Sequence, residues 1–128
     1  MCLFSIMENI ESLKIWKRSS ALSAEIYQHL ANLKDYGFKD QITRAGLSIP
    51  SNIAEGFERD SYKEFANFLK YAKGSSGELK TQVYIGMKIG YIDPATGRRW
   101  IAEVLELGKM IGALRKSMIN NSGNWIFS

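Results

Sequence analysis

Three features of the sequence predict an all-α fold, an up-and-down antiparallel four-helix bundle. Apolar residues recur at three- and four-residue spacing through four successive segments, short runs of turn residues separate those segments, and no stretch alternates as a strand would. Short turns force sequential helices to lie side by side and antiparallel. A chain of 128 residues with 45% apolar content suffices for one continuous core. The predicted organisation is an N-terminal segment over 1–12, the bundle over 13–120 and a C-terminal tail over 121–128.

The first helix is predicted from Leu13 to Leu33 on the stripe Ile15, Leu22, Ile26, Leu30 and Leu33, ending where Asp35-Tyr-Gly37 reads as a turn. The second carries Ile42, Ala45, Ile49, Ile53 and Phe57 on a stripe that keeps its phase through Pro50. That phase favours one kinked helix; the alternative is a fresh helix from Ser48, with Pro50 in a first turn that tolerates proline. Ser61-Tyr-Lys-Glu64 fits a capping box and opens the third helix. Its core face is Phe65, Phe68, Leu69, Ala72, Ser76, Leu79, Val83 and Met87, and Gly90 closes it. Asp93-Pro94 reads as an N-cap with proline at the first helical position. The fourth helix then runs through Trp100, Ile101, Val104, Leu105, Gly108, Ile111, Leu114 and Met118 to a stop at Asn120-Asn-Ser-Gly123.

Composition narrows the function. A lone cysteine, Cys2, predicts no internal disulfide and a cytoplasmic location. The opening Met1–Met7 stretch lacks the basic residue, apolar region and cleavage site of a signal peptide, and Met7 is an alternative start. No run reaches the roughly 18 apolar residues that span a bilayer. A di-iron bundle would need Glu-x-x-His pairs on two helices, whereas the only histidine is His29 and Glu25 stands at the wrong spacing. His29 is therefore expected to be structural and partly exposed. With no Gly-x-Ser-x-Gly elbow and no Gly-x-x-x-x-Gly-Lys loop, the sequence predicts a non-enzymatic protein with no cofactor and no metal.

Arg44, Asn52, Glu55, Glu64 and Glu78 are predicted to form an enclosed polar core that fixes register, with Arg44 pairing one of the carboxylates. Glycines crowd the third helix at Gly74-Ser-Ser-Gly77 and recur four apart at Gly86/Gly90 and Gly108/Gly112. Each costs a helix interior up to about 1 kcal/mol, which close packing within the chain or at a subunit interface would offset. Trp125-Ile-Phe127 requires docking, on its own bundle or on a neighbouring subunit.

The net charge is +4, with a pI near 9.2. At about 100° per residue, Lys63, Lys70, Lys73, Lys80 and Lys88 share one arc of roughly 100° on the third helix, together with Tyr84 and with no acidic residue. A solvated face ordinarily mixes both signs. The residues alone leave an ordinary wet surface slightly ahead of a nucleic-acid-binding stripe, for which lysines with an aromatic are the electrostatic signature.

The motifs Gln41-Ile-Thr-Arg-Ala45, Ser48-Ile-Pro-Ser-Asn-Ile-Ala-Glu-Gly56, Lys63-Glu-Phe65, Phe68-Leu69, Ala72-Lys-Gly-Ser75, Glu78-Leu79 and Gly90-Tyr-Ile92 resemble those of the four-helix-bundle proteins encoded in intervening sequences of bacterial 23S ribosomal RNA genes. The sequence is also similar to the accessory proteins of diversity-generating retroelements. The resemblance implies a ring-like homo-oligomer, a pentamer, with nucleic acid bound on a basic surface. It departs from the pattern at Thr43, where a second basic residue before Arg44 is common, and at Trp125–Phe127. The expected partners are copies of the chain and RNA or DNA; the alternative is a protein-interaction scaffold that binds a protein partner and no nucleic acid.

Overall fold

Four helices form in the computed structural model, which describes residues 10 and 13–126, with side chains through 121. They are α1 (Lys14–His29), α2 (Tyr36–Phe57), α3 (Tyr62–Lys88) and α4 (Pro94–Ile126). Each packs on the next in sequence and α1 also meets α4, which closes the bundle around one core. Residue numbers rise on one helix as they fall on its neighbour. Arg18 and Glu25 of α1 meet Glu103 and Trp100 of α4, and Lys73 and Ser76 of α3 lie at Gly112 and Gly108. The neighbours are therefore antiparallel.

The apolar periodicity is buried as the spacing predicts. Ile26, Ile42, Ile49, Ile53, Phe65, Leu69, Leu79, Trp100 and Ile111 are almost wholly enclosed. Each large apolar side chain so buried contributes about 1.5–3 kcal/mol relative to exposure. On α4 the core position falls to Leu107, while Leu105 stays 46% exposed. Steps of three and four run Val104, Leu107, Ile111, and Leu105 stands about 100° off that line.

The predicted helix ends also form. The Ser61 hydroxyl accepts the Glu64 amide at 3.1 Å, and an Asp93 carboxylate oxygen accepts the Thr96 amide at 3.0 Å. Gly90 takes φ +83°, a left-handed turn that lets the Tyr91 and Ile92 amides reach back to the Gly86 carbonyl at 2.9 and 3.1 Å. Pro50 lies buried inside an unbroken α2, so the stripe's phase identified a single helix.

Three boundaries differ from the sequence prediction. α1 stops at His29, and Leu30 and Leu33 pack onto the core from the following turn. Asp35 accepts the Phe38 amide at 3.1 Å, and this cap turns Tyr36 and Gly37 into the first turn of α2. α4 continues through Asn120–Gly123 to Ile126. Asn and Gly each cost a helix no more than about 1 kcal/mol, and without a following proline they do not force a stop. Cys2, Met7 and the side chains of Trp125, Ile126 and Phe127 lie outside the described residues. Among those described, no helix is long and apolar enough to cross a membrane.

Glycine positions give a stability test. A Cβ on Gly86 would stand 2.6 Å from Ile92 and 3.0 Å from Phe38, whereas one on Gly74 would meet nothing within 4 Å. In urea denaturation, Gly86→Ala is expected to lose about 1–3 kcal/mol through overpacking, and Gly74→Ala to gain up to about 1 kcal/mol.

Candidate nucleic-acid interface

Burial of Phe65, Leu69, Ala72, Leu79 and Val83 dictates that the opposite side of α3 faces outward. Lys63, Lys70, Lys73 and Lys88 are exposed, Lys80 is half-buried, and Tyr84 is 54% exposed. Among the described residues, none of these five lysines takes part in an ion pair. From Lys63 to Lys88 the row spans roughly 37 Å at 1.5 Å per residue.

Gly77 falls within the lysine arc, about 40° from Lys63, and Gly74 borders it, about 20° beyond Lys63 on the other side. Neither has an atom within 4 Å of where a Cβ would stand. Packing inside the chain accounts for Gly86, which Ile92 and Phe38 crowd, and for Gly56, which Phe65 and Phe68 crowd. It does not account for this pair.

The lysine row is not uniform. Lys73 and Lys80 lean toward α4 and line a cavity of about 280 Å³ with Ser76, Gly77, Gly108 and Lys109. Lys73 reaches its ammonium across α4, to 3.0 Å from where a Cβ on Gly112 would lie. The Ser76 hydroxyl donates to the Lys73 carbonyl at 2.6 Å. Lys63, Lys70 and Lys88 remain outside this groove. Lys109 escapes a helix-by-helix reading, because only packing brings α4 beside Lys73 and Lys80; its one signal is its place between Gly108 and Gly112.

The enclosed polar core does not form within the chain. Arg44 pairs at the surface with Asp40 at 2.9 Å, Glu55 stands 3.5 Å from Arg59, and Glu64 serves the Ser61 cap. Glu78 is exposed. Asn52 is half-buried and donates to the Ser48 carbonyl at 2.9 Å, while the Ser75 hydroxyl donates to that of Ser48 at 3.0 Å. The enclosed positions of this face go to Ile49 and Ile53, and ionised groups stay in water because burying them unpaired is costly. Thr43 is buried, donating to the Lys39 carbonyl at 2.7 Å, so position 43 faces inward.

A second, larger cavity of about 610 Å³ follows the seam between α1 and α4. Both of its arginines are paired with carboxylates, and Glu106 adds a further acid. Arg18 binds both oxygens of Glu103, at 3.0 and 2.6 Å, which raises the arginine pKa. Arg99 binds Glu25, whose Oε2 also accepts the Trp100 indole N–H at 2.9 Å. The Arg99 bond first, then the Trp100 bond, holds the Glu25 carboxyl below its ordinary pKa. His29 packs edge-on against Trp100 at 5.3 Å and stands 3.5 Å from Asp93.

Residues 11–113 match the sequence family described as 23S rRNA-intervening sequence protein. The chain belongs to that family. A crystal structure of an S23 ribosomal protein family member of unknown function from Bacteroides thetaiotaomicron is similar in fold, with a TM-score of 0.75 at 24% identity over 80% of this chain and 98% of the other. No curated protein sequence matches.

The stretch assigned to the 23S rRNA-intervening sequence family includes every lysine named above and the Ser48–Gly56 motif. In that motif Ile49, Pro50, Ile53 and Gly56 are buried, and a Cβ on Gly56 would stand 2.7 Å from Phe68. The motif thus sets how closely α2 and α3 approach.

The Glu25 cluster makes a pH-dependent contribution. Because the folded pKa is depressed, the stabilisation is present above the ordinary value of about 4.3 and is lost as pH falls through the lower folded value. Glu25→Gln should lower the urea midpoint at pH 7, and its gap from the parent should close between about pH 5 and pH 3. A gap that stayed constant with pH would contradict the Arg99 contribution.

Proposed function

We propose that this chain is a non-enzymatic, oligomeric RNA-binding protein that uses the lysine face of α3 on the RNA backbone. The observation that carries the reading is the row of lysines along one helix face, none paired with a carboxylate among the described residues. Such a row binds polyanions by releasing condensed counterions, with affinity that falls steeply with salt and depends little on sequence. The family description ties these proteins to the 23S rRNA gene and makes ribosomal RNA or its precursor the proposed polyanion.

An apolar strip beside the lysines supports self-association. Tyr71, Ile85 and the capping Ile89 are about half exposed and fall, with the exposed Glu78 between them, on one edge of α3, roughly 40–80° from Lys63. That edge faces α2, where Leu47 is also about half exposed beside the Ser48–Ser75 contact. Copies joined through this strip, five in a ring on the reading the resemblance implies, would repeat the lysine face around the assembly. The same strip suits the second reading, a protein-interaction scaffold.

Replacing Lys70, Lys73 and Lys80 together with Gln tests the proposal on a fluorescent structured RNA. Affinity is expected to fall at least about ten-fold at near-physiological salt, and the salt slope to drop by about 2–3. Unchanged affinity and slope in a folded variant would sink the RNA reading. A protein partner that survives nuclease treatment of an extract would then favour the scaffold.

A further inference from the structure

We infer that the groove between α3 and α4 seats a backbone phosphate of the bound strand, held by Lys73, Lys80 and Lys109 where Gly77 and Gly108 leave the helix backbones uncovered. The inference rests on the RNA-binding reading and names where on the lysine face the strand comes closest.

Charge comes first. Three lysines line the groove beside Val104 and Leu105, no carboxylate does, and none of the three is in an ion pair among the described residues. The larger α1/α4 cavity is the opposite case, since Glu25 and Glu103 already neutralise its arginines. Like charges gathered without a counter-ion repel one another, and an anion placed among them relieves that repulsion. On α4 the acids Glu103 and Glu106 face the α1 seam, while Lys109 faces α3.

Size narrows the ligand. At about 280 Å³ the groove is smaller than the roughly 300–1,000 Å³ of ordinary small-molecule sites. A tetrahedral phosphate with its waters fits that space.

The seat explains a glycine that packing leaves unexplained. Gly77 weakens α3 by up to about 1 kcal/mol relative to alanine, yet no atom of the chain approaches its missing side chain. Close approach of a ligand to helix backbone is a reason for such a residue. A Cβ on Gly108 would meet only Ser76 Oγ at an ordinary 3.6 Å. Gly112, one turn on, leaves the space through which Lys73 reaches over α4.

The test uses the full chain, labelled with ¹⁵N at glycine and titrated at low salt with a short uridine oligonucleotide and, separately, with inorganic phosphate. The Gly77 and Gly108 amides should shift with the oligonucleotide, and the same two, at far higher concentration, with inorganic phosphate. Gly77→Leu fills the groove and Lys109→Gln removes one charge; each should weaken oligonucleotide binding about ten-fold, the scale of charge-assisted hydrogen bonds to one group. Gly74→Leu, on the same face but outside the groove, should stay within about two-fold of the parent. Urea denaturation of Gly77→Leu controls for folding, and Lys109→Gln leaves helix and packing untouched.

Parental affinity in both groove variants would overturn the phosphate seat and leave the RNA reading intact. Glycine shifts with inorganic phosphate but no oligonucleotide binding would overturn the strand as the source and assign the groove to a free phosphate. Binding of neither would overturn both.

Discussion

Burial of the apolar stripe of α3 is the constraint on which the rest depends. Phe65, Leu69, Ala72, Leu79 and Val83 are all enclosed, between α2 on one side and α4 on the other. A rigid helix of 3.6 residues per turn then has no freedom left in its rotation. Whatever stands opposite the stripe must face water, and here that is lysine. The core and the cationic face are two readings of one periodicity, so no separate device is needed to display the charge.

The same constraint explains where the sequence was informative. Ser61, Asp93 and Gly90 act through their nearest neighbours along the chain, and their caps and turn formed as read. The stripe through Pro50 was legible because a helix that kept its phase had one face to bury. Contacts between helices were not legible. Lys109 gains its meaning only from Lys73 and Lys80 across the groove, and the surroundings of Asn52, half-buried, and Glu55, exposed, are likewise set by how α2 packs on its neighbours. The end of α4 was misplaced because Asn120–Gly123 is a weak stop, a matter of about 1 kcal/mol or less per residue.

Charge is sorted by element. The α1/α4 seam binds its arginines to carboxylates, one of which also accepts the Trp100 indole N–H, and this locks the long α4 to α1 where those helices meet over a narrow strip. The α3 side keeps its lysines unpaired and sets Gly74 and Gly77 among them. A protein shaped for stability alone would place alanines at those glycines and acids among those lysines. Both departures fall on one face, and both suit a surface that a polyanion approaches closely.

Lysine acylation footprinting, read by mass spectrometry with and without a structured RNA, tests the central claim most directly. The account predicts that RNA protects Lys70, Lys73, Lys80 and Lys109 while Lys14 and Lys17, exposed on α1, react as before. Equal protection of all lysines, or protection concentrated on α1, would contradict it.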